Sequence, residues 1–247
     1  PSLRAGLDAG DNALQWVVSG YALAFGLSLV PSGRLGDARG RRPAFLAGLA
    51  LFTLASVGCG LAPSAEVLVL FRLLQGAAGG LLIPQVSGLI QQLFAGAERA
   101  RAFGALGATI GISTAVGPLA GGLLITGFGP DLGWRAVFFV NLPVGVAAWF
   151  LARRLLPAPP RERGRQDLDP VGVVLLGLAV TALLLPLIEE QTWTSPWRLA
   201  LYPLALALFG TWALWERRYR RTREPLVFGG LPEAEGWAFA PITPRDR

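Results

Sequence analysis

The sequence predicts an all-α protein, built as a bundle of about seven membrane-spanning helices. Long apolar runs approach the roughly 20 residues that cross a bilayer as a helix. Of the 247 residues, 53% are hydrophobic and 15% are charged, whereas a soluble domain carries about 25% charged residues. Arginines gather in short segments between the apolar runs, which is typical of membrane orientation signals.

The apolar runs and the arginine clusters together predict a topology. Arginines lie in every second connection, with 16 on one side and three on or near the other. Because basic residues are retained in the cytoplasm, we expect the N-terminus outside and the C-terminus in the cytoplasm. The predicted spans are 14–32, 43–62, 66–93, 102–126, 134–152, 170–188 and 198–215.

Several function classes are excluded or disfavoured by composition. With no histidine and one cysteine, the chain cannot form a Ser-His-Asp triad, a histidine metal site or an internal disulfide. We therefore expect no enzyme activity, metal or cofactor, and we interpret Cys59 as a small packing residue. The net charge of +6 does not indicate nucleic-acid binding, because the arginines do not collect on a soluble face.

Four regions are predicted along the chain. Residues 1–152 hold five spans, and 153–169 form a basic, proline-rich cytoplasmic linker that we expect to be irregular. Residues 170–216 hold two further spans. Residues 217–247 contain no span, and we expect a cytoplasmic tail that is disordered or aberrant.

The first arginine-rich connection, 33–42, carries an ordered string of residues. We expect a loop of about ten residues here, in which glycines permit a tight reversal and Pro43 starts the next helix. Asp37 is placed to interact with that helix start and with neighbouring arginines. The alternative is a plain basic anchor. The candidate residues are Gly33, Asp37, Gly40, Arg41 and Arg42.

Arg72 lies within an otherwise apolar run. A charge at such depth is costly, so we expect it to face a cavity or a partner. Small residues follow it at four-residue spacing and predict a close helix contact. The alternative is that Arg72 snorkels to the membrane surface near Glu66. These small residues are Gly76, Gly80, Pro84 and Gly88.

The run 102–126 is rich in glycine, with pairs such as Gly107/Gly111 and Gly117/Gly121 four residues apart. This spacing predicts close approach to another helix, and Pro118 predicts a kink. Two interpretations remain open. The helix is either packed statically or lies at a moving interface.

Taken in order, these strings resemble the signatures of the major facilitator superfamily. Gly33–Pro43 resembles motif A, Arg72-Leu73-Leu74-Gln75-Gly76 resembles motif B, and Gly117-Pro118-Leu119-Ala120-Gly121-Gly122 resembles the exporter motif C. Residues 14–21 and 133–143 resemble the entries to spans two and six. The chain is similar to the fourteen-span drug:proton antiporters. The resemblance implies a fragment that covers spans two to six and the two extra linker helices, a partial major facilitator fold.

The resemblance also implies a function. It suggests a multi-pass protein of the bacterial inner membrane that exports drugs or small organic metabolites in exchange for protons, as in multidrug efflux and antibiotic resistance. The implied partners are the lipid bilayer, a small amphipathic organic substrate and protons. The implied roles are conformational coupling for the motif A residues, a proton or substrate path for Arg72, Gln75 and Gly76, and the exporter helix for Gly117, Pro118, Gly121 and Gly122.

Two departures from the family pattern qualify that implication. The predicted topology starts outside, so span one with its membrane Asp is expected to be missing, and so is the second half. Because alternating access needs two halves, we expect this chain alone not to transport. The alternative function is a seven-span receptor or sensor without transport.

Overall fold

The computed structural model describes residues 2–7, 9–157, 169–188 and 199–219, and all its regular elements are helical. This confirms the predicted all-α class. The helices are α1 (Ser2–Leu7), α2 (Asp11–Arg39), α3 (Arg41–Leu61), α4 (Ala65–Leu93), α5 (Gly96–Phe139), α6 (Asn141–Leu155), α7 (Pro170–Ile188) and α8 (Leu201–Tyr219).

Five helical segments are long and apolar enough to cross a membrane, and they match the first five predicted spans. They are Asp11–Arg39, Arg41–Leu61, Ala65–Leu93, Gly96–Gly129 and Leu132–Leu155. The fourth and fifth are separated inside α5 by Gly129, whose φ of 78° lies in the left-handed region. The last two predicted spans correspond to α7, with a shorter apolar stretch at Val171–Leu183, and to α8.

The prediction of a ten-residue loop over 33–42 is wrong. Helix α2 continues to Arg39 and α3 starts at Arg41, so Gly40 alone separates them, with a φ of 99°. Hydropathy locates the apolar part of a helix, but leucine, alanine and arginine also favour helix where the chain leaves the bilayer. The connection predicted over 94–101 is shorter in the structure for the same reason, since α5 begins at Gly96.

Helices α2 and α4 form the most extensive contact and make up the centre of the bundle. Helix α3 also packs against α4. A Cβ atom on Gly76 would overlap the carbonyl group of Tyr21, and one on Gly80 would overlap the carbonyl oxygen of Phe25. The two backbones therefore touch, as the four-residue spacing of small residues predicted.

Helix α5 stands apart from this centre along most of its length. Gly104, Gly107, Gly111 and Gly117 have nothing within 4 Å of an added Cβ atom. The backbone stays helical through Pro118, and the break inside α5 lies at Gly129. Close approach of this face to another helix remains a prediction.

Helices α7 and α8 form a hairpin that also touches α2. Two of the predicted regions fall mainly outside the described residues, namely the linker 153–169 beyond Pro157 and the tail 217–247 beyond Tyr219. The described ends of both regions continue helices, α6 to Leu155 and α8 to Tyr219.

Candidate functional site

The first group of candidate side chains surrounds Arg72 on α4. Its Nε atom donates to the carbonyl oxygen of Val17 at 2.9 Å, and its Nη1 atom donates to Oε1 of Gln75 at 2.7 Å. The guanidinium carbon lies 4.0 Å from the centre of the Tyr21 ring. We call Val17, Tyr21, Cys59, Arg72 and Gln75 the Arg72 cluster.

The local helix geometry explains why these residues meet. Arg72 and Gln75 are three residues apart, so their side chains share one face of α4, and Gly76 lets the α2 backbone approach that face. Gln75 is 2% exposed and Cys59 is fully buried, with its Sγ atom 3.8 Å from Oε1 of Gln75. Cys59 thus packs as predicted.

The side chain of Arg72 contacts α2, as expected if the arginine faces a partner within the protein and not the membrane surface. Arg72 is half-buried, and a guanidinium group in such a place is tolerated where hydrogen bonds replace its hydration. Here two acceptors and one aromatic face contact it, and aromatic contact adds about 0.5–2 kcal/mol. The cluster therefore holds a positive charge between two membrane helices.

The second group lies at the turn between α2 and α3. Arg41 donates from Nη2 to Oδ1 of Asp37 at 2.6 Å and from Nη1 to the carbonyl oxygen of Pro84 at 3.1 Å. Gly88 leaves the space that the guanidinium group occupies. This Arg41 junction ties together α2, α3 and α4.

Gln85 extends the junction along α4, and sequence reasoning missed it. The side chain is fully buried, and its Nε2 atom donates to the carbonyl oxygen of Ser32 at 2.7 Å. Its Oε1 atom lies against Gly36, where a Cβ atom would overlap it. The available signal was a polar residue directly after Pro84 in an apolar helix.

The remaining motif A candidates lie around the same turn. Arg42 donates from Nη2 to the carbonyl oxygen of Arg153 at 2.7 Å, which links α3 to the end of α6. Gly40 forms the turn itself, and Gly33 is close to Pro84, with 3.9 Å between an added Cβ atom and Cβ of Pro84. The structure thus brings the five sequence-predicted residues of this motif to one end of the bundle.

A polar contact between α3 and α6 was also missed. Asn141 donates from Nδ2 to Oγ of Ser56 at 2.9 Å, and Ser56 donates to the carbonyl oxygen of Phe138 at 2.9 Å. Arg135 donates from Nη1 to the carbonyl oxygens of Gly60 and Ala62. Single polar residues in apolar runs were the available signal.

The candidates of the exporter motif lie apart from both groups. Gly117, Pro118 and Gly122 are exposed, and an added Cβ atom on Gly121 meets only Cγ2 of Val137, at 4.0 Å. The Arg72 cluster and the Arg41 junction are themselves separated by 12 residues of α4, from Arg72 to Pro84, or about 18 Å of helix.

Comparison with known proteins identifies the family of this chain. The model of the Major Facilitator Superfamily matches residues 1–232. The chain is 41% identical over 226 residues to the probable actinorhodin transporter of Streptomyces coelicolor, 36% over 241 residues to the tetracenomycin C resistance and export protein of Streptomyces glaucescens, and 40% over 233 residues to the puromycin resistance protein pur8 of Streptomyces alboniger.

These matches cover most of this chain but less than half of each relative. They include 90%, 96% and 94% of this chain and 38%, 44% and 45% of the respective relatives. Three observations agree with one another. They are the order of the motif strings at Asp37, Arg72 and Gly117, the helical bundle, and the match to the family model. The chain belongs to the Major Facilitator Superfamily.

Proposed function

We propose that this chain forms part of a bacterial membrane exporter that exchanges small organic molecules, such as antibiotics, for protons. The observation that carries the proposal is Arg72, which is held between α2 and α4 by Val17 and Gln75. The names of the three relatives refer to transport, export or resistance and support the same class.

A guanidinium group in this position is suited to proton coupling. Arginine keeps its charge across the physiological pH range, so it acts as a fixed cation and does not itself carry the proton. A fixed cation lowers the cost of an ionised carboxylate nearby and raises the cost of a cationic substrate. We infer that protonation or substrate binding changes the interactions of Arg72 with α2.

The Arg41 junction supports a role in conformational coupling. Arg41 bridges Asp37 and the Pro84 carbonyl at the end of the bundle, so a shift of α2 relative to α4 requires these bonds to break or to move together. We assign Gly33, Asp37, Gly40, Arg41 and Arg42 to this coupling.

The exposed glycine face of α5 supports a role at a helix interface. Gly117, Pro118, Gly121 and Gly122 present little side-chain volume on an apolar helix, which permits close approach of another backbone. We propose that this face packs against a further helix of the transporter. Transport as a whole needs two halves around a central site, and this chain spans 38–45% of its relatives.

The test is an antiport assay on everted membrane vesicles that contain the protein expressed from its complete gene. Respiration acidifies the vesicle interior, and a fluorescent amine reports the gradient. Addition of an antibiotic such as puromycin should release protons and restore fluorescence. Arg72→Ala should reduce this signal at least about tenfold, because a hydrogen bond to a charged group contributes about 1.5–3 kcal/mol.

Matched variants separate a loss of mechanism from a loss of folding. Arg101→Gln removes an exposed arginine of α5 and should leave antiport unchanged. Arg72→Lys keeps the charge, cannot donate to Val17 and Gln75 in the same geometry, and should be intermediate. If Arg72→Ala reaches the membrane and still supports wild-type antiport, Arg72 is not part of the mechanism. Efflux that continues unchanged when the proton gradient is collapsed would contradict the proposed exchange for protons.

The receptor alternative is not favoured by any described contact. Membership of a transporter superfamily instead supports movement of a solute across the membrane. The vesicle assay also distinguishes the two, because a receptor would bind the compound without altering the gradient.

A further inference from the structure

A large apolar cavity lies between α2, α3, α4 and the start of α7. Its volume is about 670 Å³. Along α4 it extends from Phe71 to Leu81, and ten residues of helix span about 15 Å. It is therefore long enough to accept an extended hydrocarbon chain of about a dozen carbons.

The cavity opens toward the surroundings of the bundle. Leu51 and Leu54 on α3 and Leu74 on α4 line it and are 54%, 66% and 52% exposed. Val173 and Val174 of α7 also line it. In a membrane an opening of this kind meets lipid acyl chains, because α2, α3 and α4, which form most of its lining, are apolar and long enough to span.

An exposed arginine, Arg39, lies one helical turn beyond the part of α2 that lines the cavity. Ser28, Ser32 and Leu35 line the cavity on α2, and Arg39 is the next member of this i, i+4, i+7, i+11 stripe of the helix. Arg39 is exposed and makes no hydrogen bond or ion pair in the part of the chain that the structure describes. It lies at the α2–α3 turn, where the apolar span ends.

The two described acidic groups at this end of the lining helices, Asp37 and Asp169, are already engaged. Asp37 is paired with Arg41. The carboxylate of Asp169, 1% exposed at the start of α7, accepts from the backbone N–H of Gly172 and from Nε1 of Trp215. Neither carboxylate pairs with Arg39, so within the described residues Arg39 is open to an anion from outside the chain.

We propose that this cavity holds an acyl chain of an anionic phospholipid, whose phosphate group binds Arg39. An elongated apolar cavity that opens to the bilayer fits the chain. The guanidinium group of Arg39, one helical turn beyond Leu35 and without a partner among the described residues, fits the phosphate. An amphipathic cation would instead meet the like charge of Arg39. The lipid would fill the gap between α2 and α3 and connect α7 to the bundle.

Native mass spectrometry of the full chain in a mild detergent tests the proposal. Dioleoyl phosphatidylglycerol, phosphatidylethanolamine and phosphatidylcholine are offered at equal concentration. Phosphatidylglycerol should be retained preferentially. Arg39→Gln should lower its retention about fivefold, the factor for one basic residue at an anionic lipid surface. Arg39→Lys should keep most of it.

Further variants locate the bound lipid. Arg101→Gln removes an exposed arginine from α5, which does not line the cavity, and should leave retention unchanged. Ala77→Phe fills the cavity and should lower retention of phosphatidylglycerol. Leu54→Phe, on the exposed rim, narrows the cavity with less risk to folding and should act in the same direction.

Three results would overturn the proposal. One is equal retention of phosphatidylglycerol and phosphatidylcholine by the wild type. Another is equal loss in Arg39→Gln and Arg101→Gln. The third is full retention in both Ala77→Phe and Leu54→Phe, which would place the lipid elsewhere. None of these measurements requires transport, so their outcome is independent of the proposed export activity.

Discussion

Gly88 of α4 lies directly against the guanidinium group of Arg41, and a Cβ atom at this position would overlap Nη1 and Cζ. The glycine thus provides the space in which Arg41 reaches Asp37 and the Pro84 carbonyl. One side chain thus connects the end of α2, the start of α3 and the interior of α4, and its position requires a glycine at position 88.

Gly88→Ala should therefore destabilise the bundle. The added methyl group displaces Arg41 from two hydrogen bonds, and we expect a loss of about 1–3 kcal/mol in the free energy of unfolding. Thermal unfolding in detergent measures it. Gly107→Ala is the control, since nothing lies within 4 Å of its Cβ position. Equal stability of the two variants would show that Arg41 accommodates the methyl group.

Gly76→Ala should be more severe than Gly88→Ala. Its Cβ atom would meet the backbone carbonyl of Tyr21, which cannot move aside without shifting α2, whereas Arg41 can change rotamer. We expect a loss of about 2–4 kcal/mol, at the upper end of overpacking effects. Gly26→Ala, with an open Cβ position on α2, is the matched control. An unfolding temperature of Gly76→Ala equal to that of the control would contradict the close backbone contact.

The sequence predicted the parts of the fold that hydropathy and spacing determine. The five spans, the inward position of Arg72 and the glycine contact at Gly76 follow from burial cost and helical periodicity. The ends of the helices could not be predicted from hydropathy. The residues from Gly33 to Arg39 are polar enough to lie outside the bilayer, yet they remain helical.

The partners within the sites were harder to predict. Arg72 was identified from its charge, but its acceptors, the carbonyl of Val17 and the amide of Gln75, depend on the register of α2 against α4. Gln85 carries no charge and belongs to no quoted string. Its importance is visible only when its Nε2 atom is found on the Ser32 carbonyl.

The membrane orientation of the chain is a further prediction. Arg39→Cys and Leu132→Cys place thiols at exposed positions on opposite ends of the bundle. In intact cells a membrane-impermeant maleimide should label Leu132→Cys, whereas Arg39→Cys should react only after permeabilisation. The wild type is the background control because Cys59 is fully buried. Labelling of both positions from the same side would overturn the topology.

The pairing of α7 with α8 depends on Asp169. Its carboxylate accepts from the Gly172 N–H at 2.9 Å and from Nε1 of Trp215 at 3.0 Å, so it caps α7 and holds α8 at once. Asp169→Ala removes the cap, worth about 0.5–2 kcal/mol, and leaves the indole N–H without its acceptor. We expect the unfolding temperature to fall by about 2–6 °C, from the scaling for a domain of this size.

A double-mutant cycle separates the two roles of this carboxylate. Trp215→Phe removes the indole bond and keeps the cap, so its cost should be smaller than that of Asp169→Ala. The double variant should cost less than the sum of the two, by about 0.5–1.5 kcal/mol. Thr211→Ala on α8 is the control, since its hydroxyl donates to the Ala207 carbonyl of its own helix. Strict additivity would mean that Asp169 and Trp215 act independently, and that the hairpin is held by apolar packing alone.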